Sequence, residues 1–321
     1  MRLPFLAMPN PLLIFCIGLF INHTGVWANE AQAVAKAIPL IEQSTRTYIE
    51  KRDCFTCHHQ ALPLMALSQA KHAGFKIDDK VIQAQTKFTL EYFADRQDRL
   101  PKGQGVVGGP YTAGYALAGL HAAQSKPNAT AKALVAYLLK TQQPDGSWRI
   151  RTHRPPLEDS HFTATSLALK GLPIAAESKA ARERGIQWLQ KSNPKSTEDR
   201  VFQILGLRNA SKTALEPARK LLATQQKDGG FAQLPGMPSD AYATGQAIVA
   251  LRAAGGHKQF APAIERAKKW LLANQKPDGS WHVKTRSRPI QKYFESGFPH
   301  GQDQFISISA TCWAVMALVG N

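Results

Sequence analysis

The sequence predicts an all-α fold, an (α/α)6 toroid of six outer and six inner helices in alternation. Two observations carry this. A segment recurs three times: AKALVAYLLKTQQPDGSW at 131–148, PARKLLATQQKDGGF at 217–231 and ERAKKWLLANQKPDGSW at 265–281. Each recurrence is an amphipathic helix, a Gln, an Asp-Gly pair and an aromatic, and self-similarity of this kind marks a repeat architecture. Each is followed by a helix that is small or apolar nearly all round: HFTATSLALKGL at 161–172, DAYATGQAIVAL at 240–251 and ISISATCWAVMAL at 306–318. A helix apolar on most faces is buried, so these form an inner layer and the amphipathic ones an outer layer.

The elements follow in order. Arg2, the apolar stretch Leu12–Ile21 and the small residues of Val26-Trp27-Ala28 read as a secretory signal cleaved after Ala28, with an uncleaved anchor as the alternative. That leaves 29–321 as one domain in a periplasmic or secreted protein. Outer helices are expected near 31–50, 78–99, 129–142, 177–192, 213–226 and 260–275, and inner helices near 58–74, 110–125, 159–172, 198–210, 239–254 and 305–319. In the turns, Gly takes positive φ without strain, and the aromatic packs beneath the helix end. The second and fourth pairs lack the Asp-Gly-aromatic signature, so their ends are less defined. Six pairs can close into a ring or stack as an open solenoid.

The Gln-x-x-Asp-Gly-Ser-Trp segments resemble the QW repeats of squalene–hopene cyclases and related prenyltransferase-like toroids, over nearly all of 29–321. The resemblance implies the fold and says little about chemistry. Those cyclases share a DxDD acid motif at the start of one inner helix. Leu157-Glu158-Asp159-Ser160-His161 does not match it, and the chain is roughly half a two-barrel cyclase, so cyclase activity is not carried over. With the motif described next, the chain resembles exported bacterial squalene-cyclase-like proteins bearing a cytochrome c signature.

That motif is CFTCHHQ, Cys54–Gln60. Beyond the signal only Cys54, Cys57 and Cys312 remain, an odd count that argues against a disulfide framework in an exported protein. Cys312 lies in an apolar run and reads as core. Two thiols three apart with a following histidine suit one covalent c-type haem, with Cys54 and Cys57 as attachment points and His58 as proximal iron ligand. Zinc is an alternative, but no second ligand pair occurs at metal-binding spacing. A disulfide or plain thiol pair is the remaining one.

The motif is expected at the mouth of the toroid, where inner helices begin, and because Pro63 follows closely it is expected to form a separate short helical turn before the main helix starts at Pro63. The loops after Trp148 and Trp281 lead there with Arg149, Arg151, Arg154, Lys284, Arg286 and Arg288. They read either as solvated basic loops or as partners for haem propionates, an acidic substrate or a redox partner, with Arg149, Arg151, Arg286 and Arg288 as the binding set. His300, in the Gly297–Gly301 loop, is the expected distal iron ligand, ahead of His161, Met237, His153 and His282, with an open sixth position as the alternative. Glu158, Asp159 and Asp240 are candidate acids at inner-helix starts, with Tyr242, Glu295 and Asp303 nearby, although Asp159 and Asp240 read first as helix caps.

The formal net charge of +17 is spread along helix faces, with no nucleic-acid motif and no aromatic-interleaved basic run. The expected function is an exported mono-haem cytochrome that carries out electron transfer or ligand chemistry. The alternatives are an enzyme acting on a hydrophobic, isoprenoid-like substrate by acid catalysis, and a partner-binding toroid.

Overall fold

The computed structural model describes residues 23–173, 175–255, 257–289 and 292–320. Most of the expected signal segment, 1–22, lies outside the described residues. Among the described residues twelve α-helices alternate between two layers. The outer helices are α1 (His23–Lys51), α3 (Asp79–Ala94), α5 (Ala129–Thr141), α7 (Ala176–Lys191), α9 (Leu215–Leu222) and α11 (His257–Asn274). The inner helices are α2 (Leu62–His72), α4 (Pro110–Ala122), α6 (His161–Gly171), α8 (Thr197–Asn209), α10 (Ala241–Ala253) and α12 (Gln304–Val319). Each inner helix packs on the next, and α12 packs back on α2, so the inner layer is a closed ring and the (α/α)6 toroid is realised. Among the described residues no helix is long and apolar enough to cross a membrane.

Burial follows the sequence pattern. In α3 only Val81, Gln85, Thr89 and Phe93 are buried, one residue per turn on one stripe. In α12 every residue from Ile306 to Leu318 is buried. Small residues let the inner backbones approach each other: a Cβ on Gly114 of α4 would stand 2.6 Å from Cβ of Leu167 in α6.

The recurring turn is a staple between neighbouring outer helices. Gln142 Nε2 donates to Gly146 O (2.9 Å) in its own turn and to Ala181 O (2.8 Å) in α7. Gln225 repeats this with Gly229 and Ala263 of α11. Gln275 does so with Gly279 and Ala33 of α1, which joins the last outer helix to the first. Each Asp takes a backbone N–H two residues on, and Trp148 and Trp281 donate Nε1–H to carbonyls of Leu138 and Leu271 in the helices just left. Helix α9 is shorter than expected, ending at Leu222, and Ala223 and Thr224 form a turn before the Gln225 staple.

The two pairs without the signature solve the turn differently. After α3 the chain passes through a short 3₁₀ turn, Leu100–Lys102, ended by Gly103 at positive φ. Before α8, Ser196 and Asp199 form a capping box. The first inner helix is preceded by a separate π-helical turn, Cys57–Ala61, as the position of Pro63 suggested.

Candidate functional site

Two adjoining spaces that share Pro156 lie where inner helices begin. The larger, about 260 Å³, is lined by apolar groups of Leu157, Phe305 and Ile306, by His58, and by Arg154 and Arg288. This is just under the roughly 300 Å³ at which small-molecule sites usually start. The smaller, about 10 Å³, is lined by Glu198, Tyr242, Gln246, Asp240's neighbour Ala243, Gln233 and Arg286. Pro156 borders both spaces.

Glu198 is the acid that the axis encloses. It sits in the first turn of α8 and is buried. Its Oε1 accepts from the Thr163 hydroxyl of α6 (2.7 Å), and its Oε2 accepts from the Tyr242 hydroxyl of α10 (2.9 Å). Burial pushes its pKa up to about 8, against the lowering effect of those two hydroxyls. Glu198 therefore holds its proton at neutral pH. The amide of Gln246, also buried at this space, has no hydrogen-bond partner among the described protein groups at either its nitrogen or its oxygen. Sequence reading passed over Glu198 because it belongs to a pair without the turn signature, where Thr-Glu-Asp after Ser196 reads as an ordinary acidic first turn.

The acids named from the sequence are engaged in pairs and a helix cap, although Glu158 lines the larger cavity and Asp159 the smaller space. Both oxygens of Glu158 are held by the Arg154 guanidinium (Nε–Oε2 2.9 Å), and Thr152 adds a further bond. Asp159 pairs with His153 (2.9 Å) at the surface. Asp240 caps α10 by accepting from Ala243 N (2.9 Å), and burial raises its pKa to about 6.

The Cys54–Gln60 stretch does not present its three groups to one space. Cys54 precedes the π-helical turn and shares a hydrogen bond with Tyr48 OH (3.2 Å) of α1. Cys57 is buried in the core, and burial pushes its thiol up to about 12, with Tyr111 of α4 beside it. Neither sulfur lines the larger cavity, whereas His58 does. Burial, and then the charge of Arg154, lower the pKa of His58 to about 3. His59 lies beneath, fully enclosed, stacked on Tyr48 at 4.7 Å between ring centroids, its own pKa driven well down by burial.

The expected distal ligands are engaged elsewhere. His300 shares a hydrogen bond with Ser280 Oγ (2.7 Å) and stacks on His282 at 4.5 Å, away from the cavity lining. His282 Nε2 pairs with Asp303 (2.8 Å), and His161 Nδ1 accepts from Ile150 N (3.4 Å). Of the four arginines singled out, Arg149 pairs with Asp145 (2.6 Å), and Arg151 packs over Gly109. Arg286 donates to Gln233 (2.7 Å) at the smaller space, and Arg288 lines the larger cavity.

Comparison with known proteins gives two family matches: the squalene-hopene cyclase C-terminal domain over residues 195–321 and the prenyltransferase alpha-alpha toroid domain over residues 90–209. A drimenyl diphosphate synthase of Streptantibioticus cattleyicolor is 28% identical over 252 residues, which is 71% of this chain and 41% of the relative. A second, from Streptomyces showdoensis, is 30% identical over 157 residues, 49% of this chain and 23% of the relative. The chain thus spans less than half the length of these curated relatives. Among solved structures, a single-residue variant of the type II terpene cyclase MstE of Scytonema, in complex with geranylgeranyl dihydroxybenzoate as substrate, aligns with a TM-score of 0.64. Its identity is 16%, with 92% of this chain and 98% of the other covered. The same cyclase without ligand aligns with a TM-score of 0.60 at 16% identity, over 91% and 98%.

These findings correct the expectation of a haem c cytochrome for electron transfer. The curated relatives named above are drimenyl diphosphate synthases and the solved structures named above are of a type II terpene cyclase, not cytochromes. The geometry agrees: the sulfurs of Cys54 and Cys57 and the ring of His58 do not face a common space, and His300 does not stand opposite His58. Among the described residues no three His, Cys, Asp or Glu side chains are grouped to hold a metal ion. The chain has the terpene-cyclase-like α/α toroid fold, built from matches to the prenyltransferase toroid and to the C-terminal squalene-hopene cyclase domain.

Proposed function

We propose that this chain is an enzyme that acts on a hydrophobic, isoprenoid-like substrate by acid catalysis, with Glu198 as the proton donor. One observation carries the reading: a carboxyl enclosed at the toroid axis, bonded at both oxygens by neutral hydroxyls and held protonated up to about pH 8. A neutral carboxylic acid in a water-poor site can give its proton to an alkene. The π pair forms the new C–H bond, the carboxylate remains, and the positive charge passes to the substrate. Tyr242, which lines the smaller space, supplies an aromatic ring beside the acid that suits such a cation.

The larger cavity supports the same reading. Its apolar floor of Leu157, Phe305 and Ile306 suits a hydrocarbon chain, and Arg288 at its rim suits a polar or anionic end. Pro156 stands between that floor and Glu198, so a substrate reaching the acid displaces the Pro155–Pro156 segment. The drimenyl diphosphate synthases and the Scytonema cyclase lend the substrate class.

The test is incubation with farnesyl diphosphate and with geranylgeranyl dihydroxybenzoate, followed by product analysis. Wild type is expected to give isomerised or cyclised products, and Glu198→Gln to lower the rate by about 10²-fold or more while staying folded. Asp240→Asn is expected to retain most of the rate. Full activity in Glu198→Gln would remove Glu198 from the role.

A further inference from the structure

A buried hydrogen-bond chain beneath the larger cavity fixes the protonation of the histidine on its floor. The chain starts at Gln304 in the first turn of α12. Its Nε2 donates to Phe294 O (2.9 Å), which turns Oε1 toward Ser296, where it accepts from the backbone N–H (2.8 Å) and from the hydroxyl. The Ser296 hydroxyl has one proton, and that proton points at Gln304. Ser296 Oγ therefore accepts from the Ser44 hydroxyl of α1 (3.2 Å). The Ser44 oxygen in turn accepts from His59 Nε2–H (3.1 Å).

A neutral imidazole carries one N–H, so Nδ1 of His59 is bare. That nitrogen is in hydrogen-bond contact with Nδ1 of His58, so the proton between them belongs to His58. The other neighbour of His58 Nδ1, Thr56 Oγ1 (3.5 Å), directs its own proton to Gln60 Oε1 (2.9 Å) and can only accept as well. Gln60 is itself oriented by Thr56 N–H, which donates to the same oxygen (2.8 Å). Both neighbours thus demand a donor at Nδ1 of His58. The opposite ring edge, with a bare Nε2, is the one left for the cavity that His58 lines.

We propose that His58 is the proton acceptor of this cavity, taking a proton through Nε2 from the carbon next to a cationic centre on the hydrophobic substrate. This rests on the acid-catalysed reading above. The C–H bond breaks, its electron pair becomes the new C=C bond, and the proton forms an Nε2–H bond. His58 becomes an imidazolium whose Nδ1–H is still held by His59, and its proton returns through solvent to the Glu198 carboxylate. His59 acts as a positioning residue, through the tautomer it imposes. A weak base suffices, because a C–H beside a carbocation is a very strong acid. A weak base also leaves Glu198 protonated in the resting enzyme, since burial favours the proton on the carboxyl over the imidazole.

The experiment combines two readouts on the full chain. Nitrogen NMR on protein carrying ¹⁵N-histidine is expected to show His58 with a protonated Nδ1 and a pyridine-like Nε2 at neutral pH. His59→Ala is expected to mix the two tautomers of His58. Product analysis with farnesyl diphosphate and geranylgeranyl dihydroxybenzoate is expected to show His58→Gln still consuming substrate, with the alkene-to-alcohol ratio falling about tenfold as water quenches the cation. His59→Ala should shift the ratio the same way. An Nε2–H tautomer, or an imidazolium, in the wild type would overturn the proposal. So would an unchanged product ratio in a folded, active His58→Gln, and either result leaves the acid role of Glu198 standing. No conversion by the wild type would instead remove the acid-catalysed reading and this step with it.

Discussion

Replacing Glu198 by Gln should stabilise the protein at alkaline pH relative to wild type and do little in mild acid. Gln is close to an isostere of the protonated carboxyl, and the hydroxyls of Thr163 and Tyr242 can rotate to meet its oxygen and its nitrogen. The sign is opposite to the ordinary one for Glu. The folded pKa is about 8 and the unfolded reference is 4.5, so between these values the folded state binds a proton that the unfolded state lacks. Stability from this group is complete below about pH 4.5 and falls as pH rises through about 8. At about 1.4 kcal/mol per pKa unit, the loss across that window is on the order of 4 to 5 kcal/mol. That is a large share of the roughly 5–15 kcal/mol by which domains are stable. Urea denaturation of both proteins at about pH 5 and about pH 8 reads the effect as a difference of differences, which cancels the titration of Asp240 and of the histidines. The variant should gain on wild type by on the order of 4 kcal/mol between the two conditions. A gap that stays constant to within about 1 kcal/mol would refute the claim that Glu198 is buried in neutral form.

Two further expectations concern the turns and the thiols. Gly279 has φ of 94°, and a Cβ there would stand 2.5 Å from Lys36 O, so Gly279→Ala should destabilise by about 2–4 kcal/mol in a urea melt. An unchanged midpoint would mean that the α11–α1 junction is loose. Iodoacetamide on the native protein should label Cys54, which is half-buried, and spare Cys57 and Cys312, whose burial raises the thiol pKa, until urea is added; peptide mass mapping reads this. Rapid labelling of Cys57 in the native state would contradict its placement beside Tyr111.

The architecture was legible because its signals are local. Gln142, Gln225 and Gln275 each announce a turn whose glycine and aromatic follow within six residues, and the apolar run after each marks an inner helix. The boundary between the π-helical turn and α2 was readable from Pro63. The site was less legible because it is made of long-range contacts. Glu198 is turned into a neutral acid by Thr163 and Tyr242, 35 and 44 residues away, and nothing in Ser196-Thr197-Glu198-Asp199 records that. The CFTCHHQ spacing suggested a shared partner for two sulfurs and an imidazole. Where each side chain points is decided by Tyr48 of α1 and Tyr111 of α4, so the spacing alone misled. The arginine loops were read as one set, but Asp145 and Gln233 give two of those four arginines separate structural partners.

The junction of Gln275 with Ala33, together with the packing of α12 on α2, has a consequence for how the protein comes apart. A linear stack of helical repeats has two ends, needs polar capping units there, and can fray from either one while its middle survives. In a closed ring each helix pair has a neighbour on both sides, so no pair is first to peel. Releasing any one requires opening two interfaces at once and leaves two raw apolar edges. Unfolding should accordingly be concerted around the ring, with the slowest-exchanging amides found in all six inner helices rather than concentrated in a central block. The closing contact joins residues more than 240 positions apart, so it also raises the contact order, and the ring should fold more slowly than an open stack of the same helices.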